Sequence, residues 1–214
     1  AYPATYKMNI YKTHRTAGYP KHIYDKIKEN AVKAELANDG NMVKGALGAT
    51  PFPIPKNGLE VIWNHLLRYR GKSVIKYGAQ AAPTRSGDYT IMSIVERVTF
   101  GYSDPSMTVE KLESSNILGK FKQQIVSPAR LAGTALLIHE YLDQVKKPRQ
   151  AWTFNSGQRR VRRAPNIAYD TPGTASDGLR TTDDWDVYNG APDRYNWTLK
   201  GKAEKYVAYN SYKI

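Results

Sequence analysis

The chain has 214 residues and no cysteine, which excludes disulfide staples, Cys-ligated zinc and thiol nucleophiles together. Hydrophobic residues make up 41% and charged residues 24%, the balance of an ordinary globular domain, and no apolar run approaches the roughly 20 residues of a membrane-spanning helix. Thirty-two Lys+Arg against 19 Asp+Glu leave a net charge of +13, which favours anionic partners such as nucleic acid, lipid headgroups or an acidic protein face.

In chain order, Tyr6 to Tyr11 alternates (Tyr6, Met8, Ile10) as a first strand. Pro20 opens a helical stretch to about Ala37, with Ile23, Ile27, Ala31 and Ala34 on one face, and Asn38-Asp39-Gly40 stops it. Pro51, Pro53 and Pro55 force an extended connector. Asn57 is placed to cap a second helix from Gly58 to about Arg70. Its face of Leu59, Ile62, Trp63 and Leu66 is broad and aromatic, so it requires a flat or concave surface to pack on.

Short strands follow: Ser73–Tyr77, Tyr89–Tyr102, Lys120–Val126, Thr134–Leu142, Gln150–Phe154 and Gln158–Arg163. Ser86-Gly87-Asp88 and Asn155-Ser156-Gly157 read as hairpin turns. Pro165 to Asp193 is a long polar stretch with a helical turn expected over Thr182–Val187, and so long a loop in a compact domain is functional or mobile. Tyr195–Leu199 and Tyr206–Tyr209 read as closing strands. Two helices followed by antiparallel strands predict one α+β domain, mainly β, over residues 1–214, with helices against one sheet face.

The motifs that suggest catalysis fail on geometry. His139-Glu140-Tyr141-Leu142-Asp143 resembles a zinc-protease His-Glu-x-x-His, but its last position is Asp143 and it sits on an expected strand, where an outward His and Glu suffice. Gly71-Lys72-Ser73 lacks the earlier glycine of a phosphate-binding loop, since Leu66 stands there, and it follows a helix rather than a strand. Asp183-Asp184-Trp185-Asp186 lacks the Gly and distal Glu of a calcium loop; acids at the start of a short helix explain it. Asn196-Trp197-Thr198 fits a glycosylation sequon of a kind common by chance, and the four histidines are scattered. No catalytic residue, metal or cofactor is therefore expected, and the chain is read as non-enzymatic.

Gln158-Arg159-Arg160-Val161-Arg162-Arg163 differs in kind, with four arginines in five residues. Alternation sends Arg159, Val161 and Arg163 to one face of a strand and Arg160 and Arg162 to the other. Guanidinium groups on both faces are costly in a sheet packed on two sides. One face at least must be wet, paired with acids such as Asp183 and Asp184, or occupied by an anion. A solvated strand edge guarded by charge is an equal alternative.

Trp152 to Pro165, with Pro51 to Glu60, Ile62-Trp63-Asn64-His65, Asp183 to Asp186 and Pro192 to Trp197, resembles a bacterial family of unknown function whose members are often labelled outer-membrane lipoprotein-sorting-protein-like. Members of that family are about twice as long and carry signal peptides, so the resemblance implies an excised portion of a longer exported protein in the Gram-negative periplasm. It also implies an incomplete, highly curved antiparallel β-barrel wrapped around helices, as in lipoprotein carriers, with association to envelope transporters.

The expected function is non-catalytic binding of a lipid-like or other amphipathic, anionic ligand in lipoprotein sorting or envelope transport. Trp63, Leu66, Trp152 and Phe154 are the expected lining, and Arg159, Arg160, Arg162 and Arg163 the expected contacts to the headgroup. The alternative is a protein-interaction module that docks on a transporter or outer-membrane protein through the arginine hairpin. Nucleic acid is disfavoured because the remaining basic residues are spread out and no known reader motif is present.

Overall fold

The β-branched and aromatic runs between residues 73 and 164 pair strictly in chain order. In the computed structural model, which describes residues 7–12, 18–165, 167–174 and 176–208, they form strands β3 (Ser73–Pro83), β4 (Tyr89–Phe100), β5 (Ile117–Ser127), β6 (Ala135–Tyr141), β7 (Gln150–Asn155) and β8 (Arg160–Ala164). They make one antiparallel sheet of order β3-β4-β5-β6-β7-β8, open at both edges and not closed into a barrel. A separate hairpin of β1 (Glu35–Ala37) and β2 (Met42–Lys44), with helices α1 (Lys21–Lys33), α2 (Gly58–Leu66) and α3 (Val109–Ser115), completes a mainly β architecture.

Strand register gives the sheet two different faces. Val98 pairs with Phe121, Phe121 with Ile138 and Ile138 with Ala151, so these four point the same way. All four are buried, in a core shared with Phe100, Leu118, Leu136, Trp63, Leu66 and Leu67. Their sequence neighbours Arg97, Lys120, Lys122 and Leu137 point to the other face and are exposed.

The helices differ from the pattern reading in instructive ways. The first ends at Lys33, because Ala34 adopts extended angles and the chain turns at once into β1. Asn38, Asp39 and Gly40 all take positive φ (51°, 54° and 84°), so they turn a hairpin where a simple helix stop was expected. Asn30 is buried on α1, where the apolar periodicity would place no polar group. Its amide nitrogen donates to the carbonyls of Leu47 and Ala49, each at 2.8 Å, and its oxygen accepts from the Leu47 amide at 3.0 Å. That clamp holds the proline connector to the helix.

Asn57 does cap α2, accepting from the Glu60 amide at 2.9 Å, while Glu60 accepts from the Lys56 amide at 2.6 Å. The helix ends at Leu66, four residues short of the expected Arg70, because Leu67 leaves helical angles. Helix α3 lies where none was expected, capped by Thr108 and ended by Asn116 in the left-handed region (φ 56°). Residues 7–11 form no strand, and Tyr6 lies outside the described residues. No helix forms at Thr182–Val187, and no strand at Tyr195–Leu199 or at 206–208; Tyr209 lies outside the described residues.

Trp63 is 2% exposed and its indole N–H donates to the Gly40 carbonyl at 2.8 Å, which ties α2 to the β1–β2 turn. Replacing Trp63 by Ala should lower the free energy of unfolding by about 3–5 kcal/mol, measured by urea denaturation. A Trp63→Ala protein of near-normal stability would mean that Trp63 is not a core side chain.

Candidate functional site

The segment after β8 crosses the inner sheet face as a strap over residues 167–174 and 176–190, whose described residues form no helix or strand, and charged side chains hold it there. Arg149 immediately precedes β7, and by strand alternation it shares the inner face with Ala151. Its side chain is 1% exposed, with Nε 2.8 and 2.9 Å from the two Glu140 oxygens. Nη1 reaches Asp183 Oδ1 at 3.4 Å and donates to the Ile167 carbonyl at 3.3 Å, while Nη2 donates to the Asn189 carbonyl. Asn189 closes the ring by donating from Nδ2 to Glu140 at 3.0 Å.

Burial opposes the charge on Arg149, but Glu140 and then Asp183 outweigh it and hold the guanidinium above its ordinary pKa. Burial pushes the Asp183 carboxyl above the usual range in spite of Arg149. Its Oδ2 has no hydrogen-bond partner. Gly190 passes so close to this carboxylate that a Cβ there would collide with it.

The strap is held a second time at the end of α2. Asp186 pairs with both Arg68 and Arg70, the latter at 2.7 Å. His65 Nε2 lies 3.0 Å from the carbonyls of Asp186 and Tyr188 and 3.2 Å from Nη1 of Arg68. Burial and then the Arg68 charge lower the pKa of His65, against the pull of those carbonyls. Arg70 lies 4.1 Å over the Phe100 ring and 5.9 Å from Trp185, and its buried Nε has no partner. Trp185 meets Phe121 edge-on at 5.2 Å.

Between strap and sheet lies a chamber of about 70 Å³. Val98, Phe100, Phe121, Leu136 and Ile138 form its apolar floor, and Arg70, Glu140, Arg149, Arg180, Thr182 and Asn189 its polar rim. An open cleft of about 550 Å³ shares Arg70, Val98, Phe100 and Trp185 with the chamber and runs along the inner face to Val74, Lys76 and Glu96. Glu96 is buried there, accepting from Gln123 at 3.1 Å, with Lys76 at 3.4 Å.

The residues expected to bind a ligand do not converge. Trp63 and Leu66 are core side chains and border neither the chamber nor the cleft. Trp152 and Phe154 lie on the outer face, because Trp152 pairs with Leu137 and Phe154 with Ala135, so they do not join Trp63 inside the sheet. There they line an open groove of about 650 Å³ with Leu137, His139 and Val161. Arg160 and Arg162 lie on the inward side of β8, opposite Asn155 and Thr153. Arg163 and Val161 point outward, and Arg159 sits in the turn at φ 52°. All four arginines are exposed, and among the described residues none forms an ion pair.

Asp183 serves Arg149 instead of the arginine hairpin, and Asp184 binds Thr181 through its amide at 3.2 Å and hydroxyl at 2.7 Å. His139 does point outward, with its ring 4.9 Å from Trp152, but Glu140 points inward to Arg149. Asp143 is buried and accepts from Asn38 at 2.6 Å. Among the described residues no cluster of three His, Asp or Glu could hold a metal. Arg149 and Arg70 were not anticipated. The parity Arg149, Ala151, Thr153 carried a signal for the first, since it puts an arginine on the apolar side of the strand.

The site is thus a strapped chamber with a charged rim on one face of an open antiparallel sheet. The chain belongs to the family described as "Protein of unknown function (DUF1329)", which it matches over residues 1–214. It is 53% identical over 213 residues to the uncharacterized protein PA3922 of Pseudomonas aeruginosa, covering all of this chain and 46% of that protein, so it spans about half the length of that relative. A DUF1329 family protein from Desulfovibrio piger, known from a crystal structure, superposes with a TM-score of 0.44 at 16% identity, over 62% of this chain and 48% of that one.

Replacing Arg149 by Met should cost about 3–5 kcal/mol by leaving Glu140 and Asp183 buried without their cation. Protease cleavage within 167–190 should accelerate together with that loss; unchanged cleavage would show that Arg149 does not hold the strap. His65 provides a pH test. A histidine held below its ordinary pKa in the fold contributes stability above about pH 6.5, and loses it as pH falls toward the folded pKa. The raised Asp183 acts with the opposite sign, losing stability as pH rises out of the carboxylate range. The informative quantity is therefore the difference between two proteins: between pH 7.5 and 5.5 the melting temperature of the wild type should fall further than that of His65→Gln.

Proposed function

We propose that the domain is a non-catalytic binder of an amphipathic molecule with an anionic group, held on the inner face of the sheet under the strap. The observation that carries this reading is the adjacency of chamber and cleft, whose walls share Arg70, Val98, Phe100 and Trp185. The chamber alone has room for little more than water, while chamber and cleft together fall within the range of roughly 300–1,000 Å³ typical of ligand sites. Apolar groups lie against Val98 and Phe100. The anionic group lies at Arg70, where Arg68 and Arg70 share the single carboxylate of Asp186 and leave one positive charge over. The buried, unpartnered Nε of Arg70 supplies a donor.

In this reading the open sheet is the cup of a lipoprotein-carrier-like half-barrel, and the setting is the Gram-negative periplasm, in lipoprotein sorting or envelope transport. The resemblance in the sequence supports that setting. The second reading, docking of an envelope partner through the hairpin, is favoured by the four exposed arginines without ion pairs.

A dansylated undecanoic acid tests the inner site. The wild type should bind it saturably with a blue-shifted emission. Arg70→Ala should weaken binding about tenfold or more, the worth of a charge-assisted hydrogen bond, and Arg70→Lys should be intermediate. Absence of saturable binding, or equal binding by all three proteins, would overturn the reading.

A further inference from the structure

On the outer face of the six-stranded sheet Lys120 borders the chamber and Ile75 the cleft, while the other side chains turn away from both, and the charge of that face is unusual. Register lays one row of side chains across all six strands: Ile75, Arg97, Lys122, Leu137, Trp152 and Arg163. The row on one side contributes Lys120, and the row on the other contributes Tyr77, Phe154 and Val161. No Asp or Glu occupies any of the three rows. Both acids of the six strands lie on the inner face. Glu96 points in while its neighbour Arg97 points out, and Glu140 points in while Lys120 and Lys122 point out.

Arg97 and Lys122 stand directly opposite each other, an arrangement of like charges that weakens a sheet. Both are exposed, as are Lys120 and Arg163, and among the described residues none of the four has an ion pair. Around them the face is apolar. Tyr77 is 77%, Val161 65% and Ile75 54% exposed, and Leu137, Trp152 and Phe154 line the open groove.

We infer that this face docks on a bilayer surface rich in anionic lipid. Four unpaired cations on a carboxylate-free plane complement a negatively charged leaflet, and each adds roughly a fivefold gain in partition there. Trp152 and Tyr77 suit the headgroup level, where an amphipathic ring keeps its polar tip wet. Ile75, Leu137 and Val161 distinguish a bilayer from nucleic acid: aliphatic side chains have no base to stack on, but they gain by entering the acyl boundary. Arg97, Lys122 and Arg163 border neither the chamber nor the cleft, so the proposal stands whether or not that chamber holds a ligand.

Flotation of the 214-residue chain with vesicles tests it, using phosphatidylcholine alone and with about 30% phosphatidylglycerol. The chain should bind the anionic vesicles at least tenfold more strongly, with affinity falling as salt rises. The triple variant Arg97→Gln/Lys122→Gln/Arg163→Gln should lose about a hundredfold while circular dichroism and dansyl-undecanoate binding stay unchanged. A control that removes the same charge elsewhere, Lys28→Gln/Lys33→Gln/Lys44→Gln, should keep most of the binding. Equal loss in the control would overturn the proposal by showing that net charge suffices. So would equal binding to neutral vesicles. Binding of a single-stranded DNA oligonucleotide that depends on the same three residues, without vesicle binding, would overturn it in favour of nucleic acid.

Discussion

One buried cation organises the inner half of this protein. Arg149 is tied through Glu140 to the sheet and through Asp183, Asn189 and the Ile167 carbonyl to the strap, so a single side chain joins two parts of the chain that share no backbone ladder. A buried ion pair is not in itself a source of stability, because desolvation cancels most of the attraction. Its value here is positional. The strap has neither helix nor strand to define its path, and the planar fork of a guanidinium sets several directions at once. The unpaired Asp183 oxygen and the tight passage at Gly190 are consequences of drawing that loop down onto one point.

With the strap's place set by polar contacts, the apolar floor beneath it need not be filled. Trp185 covers Phe121 and Arg70 covers Phe100, but each does so as part of a charged or loop attachment and not as a helix face packed into the sheet. That is why a chamber survives above Val98 and Ile138, while the region around Trp63 and Leu66 is closed. The second attachment, at Asp186, lies at the mouth of the cleft.

Much of the sheet was legible in the sequence because its signal is local. Alternating Val, Ile, Phe and Tyr with glycine turns marked six strands near their observed places, and alternation alone divided Arg160 and Arg162 from Val161 and Arg163 as the register does. The N-cap at Asn57 was equally local. The site was not, because its geometry depends on pairs far apart in the chain: Arg149 with Asp183 and Arg70 with Asp186. Apolar and aromatic residues drew attention to Trp63, Trp152 and Phe154 as a lining. Only the register shows that Trp152 and Phe154 face away from the core that Trp63 occupies. The buried Asn30 likewise serves a loop that no periodicity reveals.

The two faces of the sheet follow from one constraint. A charged side chain on the inner face must find a partner in the core, and Glu96 and Glu140 do so through Gln123, Lys76 and Arg149. A charge on the outer face needs only water, so nothing in the fold requires Arg97, Lys120, Lys122 and Arg163 to be cations, or forbids a carboxylate among them. Folding therefore accounts for the acids inside but not for their absence outside. The opposed pair Arg97 and Lys122 sharpens the point, since replacing either by an acid would turn a repulsive cross-strand contact into an attractive one. Solubility would be served by mixed charge as well as by one sign. A surface that gives up that stabilisation while exposing Ile75, Tyr77 and Val161 is shaped by what it meets, and only a negatively charged, partly apolar surface relieves both features together.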